Sequence, residues 1–120
     1  MNWLYVFVGG GIGSLLRYAV SKSVEGFSPV NFPIATLISN TLSCLLLSLF
    51  VFQFHDKFSQ NVALKFFVIT GICGGFSTFS TFSFETIQLI KSGNLIYALL
   101  NIVVSLVVCL AIVYFFSKKI

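Results

Sequence analysis

The chain has 120 residues, of which 58% are hydrophobic and only 8% are charged, whereas soluble globular domains carry about 25% charged residues. This composition excludes a soluble domain and indicates an all-α integral membrane protein. Seven Lys and Arg residues against three Asp and Glu residues give a net charge of +4. The charges lie mostly between or beside apolar runs, as membrane-flanking charges do, so we expect no nucleic-acid partner.

Four apolar segments are long enough to cross a bilayer, because a hydrocarbon core of about 30 Å needs about 20 helical residues. We expect transmembrane helices from Trp3 to Val20, Phe32 to Phe54, Asn61 to Phe84 and Leu95 to Phe116. The first segment reads better as a span than as a cleavable signal, because it contains three consecutive glycines and an arginine. The sequence therefore predicts a single four-helix domain, multi-pass in the cell membrane.

The first two segments carry small and polar residues at helical spacing. Gly9 and Gly13 are four residues apart, a spacing that lets helices approach closely. Arg17 follows one turn later, where it either extends to lipid phosphates or serves a pairing or vestibule role. In the second segment a polar stripe is expected either to bond to other helices or to line a hydrophilic path; it consists of Thr36, Ser39, Asn40 and Ser43.

The third segment contains the most unusual stretch, in which the adjacent glycines Gly74 and Gly75 precede a run of hydroxyl and phenylalanine residues. Such a stretch predicts a mid-membrane break of the helix. Unwound carbonyls are good ligands for a small cation, while half-helix N-termini and hydroxyls favour an anion. Phe79 and Phe82 share a helix face, and the electropositive edges of their rings are possible partners for a dehydrated anion.

The fourth segment carries a second polar stripe, because Tyr97, Asn101 and Ser105 recur every four residues. The three cysteines lie singly in apolar runs with no paired spacing, so we expect buried small hydrophobic residues and neither a disulfide nor a metal site. The single histidine, His55, lies in a predicted turn. No catalytic constellation is recognisable, and we expect no enzyme.

The positive charges are nearly balanced between the two membrane faces. One face is expected to hold Lys57, Lys65, Lys118 and Lys119, and the other Arg17, Lys22 and Lys91. Such a balance fits a chain that inserts both ways round, although a single, weakly determined topology fits too. Four thin helices cannot easily enclose a solvated path alone, so we expect a dimer. Dual insertion would give an antiparallel pair with a two-fold axis in the membrane plane.

The motifs together resemble the CrcB/Fluc family of fluoride channels over essentially the whole chain. Residues 74–85 are similar to the family's GGxTTFSTFSxE signature, with Ser77 in place of a threonine. Gly10, Gly13, Arg17 and Tyr18 resemble its first-helix motif. Thr36 and Asn40 resemble its GTLxVN motif, in which Ala35 and Ser39 are departures.

The resemblance implies a passive, selective channel that exports fluoride from the cytoplasm, built as an antiparallel dual-topology dimer. It also implies a structural Na⁺ ion bound by the backbone carbonyls of Gly74 and Ser77. The implied fluoride pore comprises Asn40, Phe79, Ser80, Thr81, Phe82, Tyr97, Asn101 and Ser105. Arg17 and Glu85 match charged positions near the vestibules.

Two alternatives remain at this point. The chain could be a non-conducting or partner-dependent subunit of a heterodimer with a paralogue, which the eroded second motif leaves open. A small multidrug-type antiporter is the other, but that mechanism needs a carboxylate inside the first helix. The first segment has none, and Glu25 and Glu85 lie at segment ends.

Overall fold

The computed structural model describes residues 2–25, 32–53 and 60–118, and within these ranges all regular structure is helical. The helices are α1 (Asn2–Val24), α2 (Ile34–Gln53), α3 (residues 62–76), α4 (Phe79–Lys91) and α5 (Leu95–Ser117). Their lengths and hydropathies provide four candidate membrane spans, the third of which runs from Val62 to Lys91 through α3 and α4. Phe54, His55, Lys57 and Lys119 lie outside the described residues.

Two of the helices contain a stretch with wider, π-type hydrogen bonding, at Leu49–Gln53 in α2 and at Phe66–Cys73 in α3. The Asn61 side chain caps the start of α3 by accepting from the Leu64 N–H at 3.0 Å. The turn between α4 and α5 is made by Gly93, whose φ of 87° lies in the left-handed region that glycine adopts without strain. A side-chain cap thus marks the start of α3, and a glycine turn separates α4 from α5.

Helix α1 packs closely on α3, because glycines face each other across the contact. A Cβ on Gly13 would collide with backbone atoms of α3, including the Phe76 nitrogen at 2.8 Å, and a Cβ on Gly71 would meet the Gly9 Cα at 2.8 Å. This confirms the packing role predicted for the Gly9 and Gly13 pair. By contrast, nothing lies within 4 Å of a Cβ on Gly11.

The exterior is apolar and the interior mixes polar with apolar side chains, whereas a soluble fold keeps its polar side chains mostly outside. Large apolar side chains are exposed along α1 and α5, while the fully or nearly buried polar side chains are Thr36, Ser39, Ser43, Ser48, Thr86, Asn101 and Ser105. Helix α2 lies between α1 and α5 and contacts both. Because lipid cannot satisfy polar groups, this arrangement fits helices whose apolar faces contact lipid.

Candidate ion pathway at the helix break

The third span is interrupted at Ser77 and Thr78, which have extended backbones with φ and ψ of −85° and 156°, and −151° and 121°. Both sides of the interruption are capped locally. The Ser77 N–H and Oγ donate to the Cys73 carbonyl at 3.0 and 2.8 Å, and Thr78 Oγ1 accepts from the Thr81 N–H at 3.2 Å. The break predicted from the sequence is therefore present, as a two-residue extended segment.

From the sequence we expect the adjacent glycines to form the break. They do not form it. Gly74 and Gly75 remain helical at the end of α3. The reason for glycine at position 75 is packing, because a Cβ there would lie 2.5 Å from the Gly10 carbonyl oxygen in α1. The departure from helical geometry comes two residues later, where hydroxyl side chains can bond to nearby backbone.

The Asn40 side chain from α2 binds both backbone groups of Thr78. Its Oδ1 accepts from the Thr78 N–H at 2.8 Å, and its Nδ2 donates to the Thr78 carbonyl at 3.3 Å. A side-chain amide presents a donor and an acceptor side by side, so it pairs with an extended residue as a neighbouring strand would. Asn40 thus satisfies backbone groups that the break removes from the helix.

Two further side chains bind carbonyls at the end of α3. Arg17 from α1 donates from Nε to the Gly75 carbonyl at 3.1 Å, and Ser43 from α2 donates to the Cys73 carbonyl at 2.9 Å. A cation at a helix C-terminus is also favourable for the helix dipole. Of the roles left open for Arg17, the geometry favours pairing, since the half-buried side chain bonds to the break.

The carbonyl oxygens of Gly74 and Ser77, like that of Phe76 between them, accept no side-chain hydrogen bond from the described residues. The neighbouring carbonyls that do accept such bonds are those of Cys73, Gly75 and Thr78. Backbone carbonyls are hard oxygen ligands of the kind that a Group 1 or 2 cation takes. The donor set therefore fits the ion that the family resemblance implies.

A cleft of about 220 Å³ opens beside the break between α2, α4 and α5. It brings together four of the predicted pore residues, Asn40, Phe79, Phe82 and Ser105. The rings of Phe79 and Phe82 are 5.7 Å apart between centroids with an interplanar angle of 36°. Phe82 is buried at 9% exposure, whereas Phe79 is 76% exposed, so one wall of the cleft is open in the single chain. The lining also includes Cys44, Ser77, Thr78, Leu106 and Cys109.

The cleft lining does not include the other predicted pore residues. Ser80 and Thr81 lie in the first turn of α4, where Ser80 Oγ is 3.2 Å from Thr78 Oγ1. Asn101 is 1% exposed and donates to Thr86 Oγ1 at 2.9 Å, and Ser105 donates to Asn101 Oδ1 at 3.4 Å. Tyr97, two turns before Ser105, stacks edge-on against Phe32 at 6.3 Å. The polar line along α5 consists of Tyr97, Asn101 and Ser105, and it reaches the cleft only at Ser105.

Glu85 lies apart from the cleft, on a more polar cavity of about 420 Å³ lined with Pro33, Gln88, Leu89 and Ser92. Its Oε1 atom is buried and has no hydrogen-bond partner among the described residues. Glu85 therefore lies in the middle of α4 and borders a polar cavity that is separate from the cleft.

Four residues of the cleft are not among those predicted from the sequence, namely Cys44, Thr78, Leu106 and Cys109. We had expected the cysteines to be buried small hydrophobic residues, which Cys73 is, at 5% exposure. Cys44 and Cys109 are instead half-buried and line the cleft. The signal available was helical spacing, since Cys44 follows Asn40 by four residues and Cys109 follows Ser105 by four.

Four apolar helices long enough to cross a membrane, the third of them broken and held by side chains of two others, define a small integral membrane protein. The chain belongs to the CrcB family, because the family model for the CrcB-like protein, Camphor Resistance (CrcB), matches residues 4–116. The identification predicted from the sequence is thereby confirmed.

The chain is also similar to several curated proteins that carry the name "Fluoride-specific ion channel FluC". The relative from Flavobacterium psychrophilum is 43% identical over 84% of this chain and 82% of its own. The one from Ruminiclostridium cellulolyticum is 41% identical over 92% of this chain and 85% of its own. The one from Pyrococcus abyssi is 36% identical over 92% and 89%. The likeness thus covers nearly the whole of each protein.

Proposed function

We propose that this protein is a fluoride-specific ion channel that passively exports fluoride from the cytoplasm. The observation that carries this is the 43% identity, over 84% of the chain, to a relative named as such a channel. The cleft at the break of the third span, which combines phenylalanine rings with Asn40 and Ser105, is the feature of the fold that suits the role. A channel makes and breaks no covalent bond, in agreement with the absence of any catalytic arrangement in the sequence.

The proposed pore includes the cleft and the polar line along α5. Fluoride is small and strongly hydrated, so conduction needs replacement donors at several successive sites, none of which binds too tightly. The ring edges of Phe79 and Phe82 and the hydroxyl of Ser105 provide such sites in the cleft. Asn40 uses one Nδ2 hydrogen on Thr78 and keeps a second for an anion. Ser80, Thr81, Tyr97 and Asn101 extend the path by our proposal.

Arg17 and Glu85 are proposed to act on the anion from outside the cleft, Arg17 beside the break and Glu85 further along α4. The Arg17 Nε is taken by the Gly75 carbonyl, but a guanidinium has five N–H donors, so its terminal nitrogens remain available to attract an anion. Glu85 adjoins the polar cavity next to Gln88 and Ser92. A negative charge there disfavours anion accumulation, which helps a bound anion to leave.

The Gly74 and Ser77 carbonyls are proposed to bind a structural Na⁺ ion, which is not transported. When bound, the ion would supply positive charge at the break and would hold the unwound backbone in place. The side chains of Asn40 and Ser43 orient the neighbouring peptide groups by their hydrogen bonds, so the chain itself prepares the carbonyls. We expect fluoride efflux to cease when Na⁺ is removed from both sides.

A partner chain is proposed to close the open side of the cleft. Phe79 is 76% exposed in the single chain although it adjoins the break. The near-balanced distribution of positive charges fits an antiparallel pair with dual topology. We therefore propose a dimer, made either of two copies of this chain or of this chain and a paralogue.

The test is ion efflux from liposomes that contain the purified protein. We expect fast fluoride efflux, with chloride efflux indistinguishable from that of protein-free liposomes. Equal efflux of both anions would contradict selectivity. A chain that forms a dimer but passes no fluoride alone, and does so once a paralogue is co-reconstituted, would be a partner-dependent subunit instead.

A further inference from the structure

Cys44 on α2 and Cys109 on α5 form a pair of thiols on opposite walls of the cleft. Both are free and half-buried, and the two helices that carry them are in contact with each other. Both also line the cleft together with Phe79, Phe82 and Ser105. Two thiols on different helices that line the same cleft form a site at which one metal ion can bind both sulfur atoms.

The third thiol is not part of this pair. Cys73 is 5% exposed and packs in a buried cluster with Val68. Among the described residues, no group of three or more His, Cys, Asp or Glu side chains is close enough to bind one metal ion. A tetrahedral zinc site is therefore excluded in this part of the chain, and a ligand that needs only two sulfur atoms remains.

We propose that Cys44 and Cys109 form a two-thiolate site for a soft, thiophilic d¹⁰ metal ion of the Cu⁺, Ag⁺ and Hg²⁺ class, and that its occupation blocks the cleft. Thiolates select such ions over hard cations, and these ions accept two-coordinate binding. For Hg²⁺ the reaction is Hg²⁺ + 2 RSH → RS–Hg–SR + 2 H⁺, with no change of oxidation state. The product is neutral, which suits a site surrounded by apolar side chains.

The blocking effect follows from location and rests on the proposed pore. Cys44 lies one turn beyond Asn40, and Cys109 one turn beyond Ser105, so a bound ion would bridge α2 and α5 across the cleft. The bound ion would link α2 and α5, and the distance between these two helices sets how wide the cleft is for an anion. The site itself, however, depends only on the two thiols, so metal binding and fluoride block can be measured separately.

The binding test uses HgCl₂ as the probe, because the neutral complex partitions into detergent micelles. Wild-type protein is titrated in the presence of a competing monothiol, and bound mercury per chain is measured by elemental mass spectrometry after desalting. We expect one tightly bound Hg²⁺ per chain, retained in Cys73→Ser. In Cys44→Ser and in Cys109→Ser we expect at least about tenfold weaker binding. In these variants the second bond to mercury is lost, and in the wild type that bond forms readily because the second thiol is held close by.

Unchanged mercury affinity in both Cys44→Ser and Cys109→Ser, or its loss in Cys73→Ser alone, would overturn the site. Gel filtration and circular dichroism of each variant show whether it is folded, and the alanine variants at the same positions repeat the test without a hydroxyl.

The flux test uses the same four proteins in liposomes. We expect one equivalent of Hg²⁺ to stop fluoride efflux in wild type and in Cys73→Ser, with recovery on adding dithiothreitol, and to leave efflux unchanged in Cys44→Ser and Cys109→Ser. Binding that requires both thiols while efflux continues would refute the block and the placement of the pore at this cleft, but not the metal site. Absence of efflux before any metal is added would refute the proposed function of the chain alone, and the binding result would still decide the site.

Discussion

Replacing Asn40 with alanine tests whether this side chain supports the break. The substitution removes an acceptor 2.8 Å from the Thr78 nitrogen and a donor 3.3 Å from the Thr78 oxygen. A buried polar group left without a partner costs about 1–3 kcal/mol. Thr78 is half-buried and lines the open cleft, so its two groups together predict a loss of about 1–3 kcal/mol in the free energy of unfolding, the longer bond contributing less.

Ser43→Ala provides the matched control for this prediction. It also removes a hydrogen bond from α2 to the end of α3, but the Cys73 carbonyl keeps the N–H and the hydroxyl of Ser77 as donors. The expected loss is therefore that of one ordinary hydrogen bond, about 0.5–1.5 kcal/mol. The difference between the two variants isolates the effect of leaving backbone groups unpaired.

The assay is unfolding in mixed micelles of a mild detergent and sodium dodecyl sulfate, followed by circular dichroism, with fluoride efflux measured in parallel. We expect Asn40→Ala to unfold at clearly lower dodecyl sulfate than Ser43→Ala. If the two variants unfold alike and only Asn40→Ala loses fluoride efflux, then Asn40 serves the ion and not the backbone, and the reasoning from its two hydrogen bonds is refuted.

Three further predictions, two of them with a matched control variant, are checked by the same two assays. Gly13→Ala pushes α1 away from α3 and is expected to lower the free energy of unfolding by about 1–3 kcal/mol. Gly11→Ala, with nothing within 4 Å of its Cβ, is expected to leave it unchanged. Equal stabilities of the two variants would contradict this prediction. Phe82→Ala is expected to lose about 3–5 kcal/mol by leaving a cavity, while exposed Phe79→Ala keeps its stability, and both reduce fluoride efflux if the rings face the ion. Asn101→Ala is expected to destabilise the contact of α4 and α5 by about 1–3 kcal/mol, and unchanged unfolding would argue against its buried hydrogen bonds.

The polar part of the interior could be predicted from the sequence, because in a membrane a polar side chain at helical spacing has few places to go other than another helix or a wet path. Thr36, Ser39 and Ser43 in α2, and Asn101 and Ser105 in α5, are all buried. Local periodicity is sufficient for this part of the fold, since each stripe is defined within a single helix.

The support of the break could not be predicted in the same way, because it depends on contacts between residues far apart in the chain. Asn40 binds Thr78 across 38 positions, and Arg17 binds Gly75 across 58. Glycine was also ambiguous, since the absence of a Cβ permits both an unusual backbone and close helix packing. At Gly75 the second reason applies. Cys44 was missed because an apolar neighbourhood in sequence hid its place on the polar face.

The hydrogen bonds from α1 and α2 fall on both sides of Ser77, which predicts that they act as one unit. Arg17 bonds to the Gly75 carbonyl and Asn40 to Thr78, three residues further on. If losing either contact lets the break rearrange, the second contact is already weakened when it is removed. Combining Arg17→Gln with Asn40→Ala should then cost less than the sum of the single losses, by about 0.5–3 kcal/mol.

A distant helix cap distinguishes this coupling from a general loss of stability. Asn61 caps the start of α3 through the Leu64 N–H at 3.0 Å, and Asn61→Ala should cost about 1 kcal/mol. Combined with Asn40→Ala it should add within about 0.3–0.5 kcal/mol, because the two sites share no partner. Additivity in both pairs would mean that Arg17 and Asn40 support separate peptide groups. Coupling confined to the pair that includes Arg17 would mean that α1 and α2 together hold the break in a single conformation. A single conformation is what fixes the positions of the carbonyls on one side of the break and of the cleft on the other.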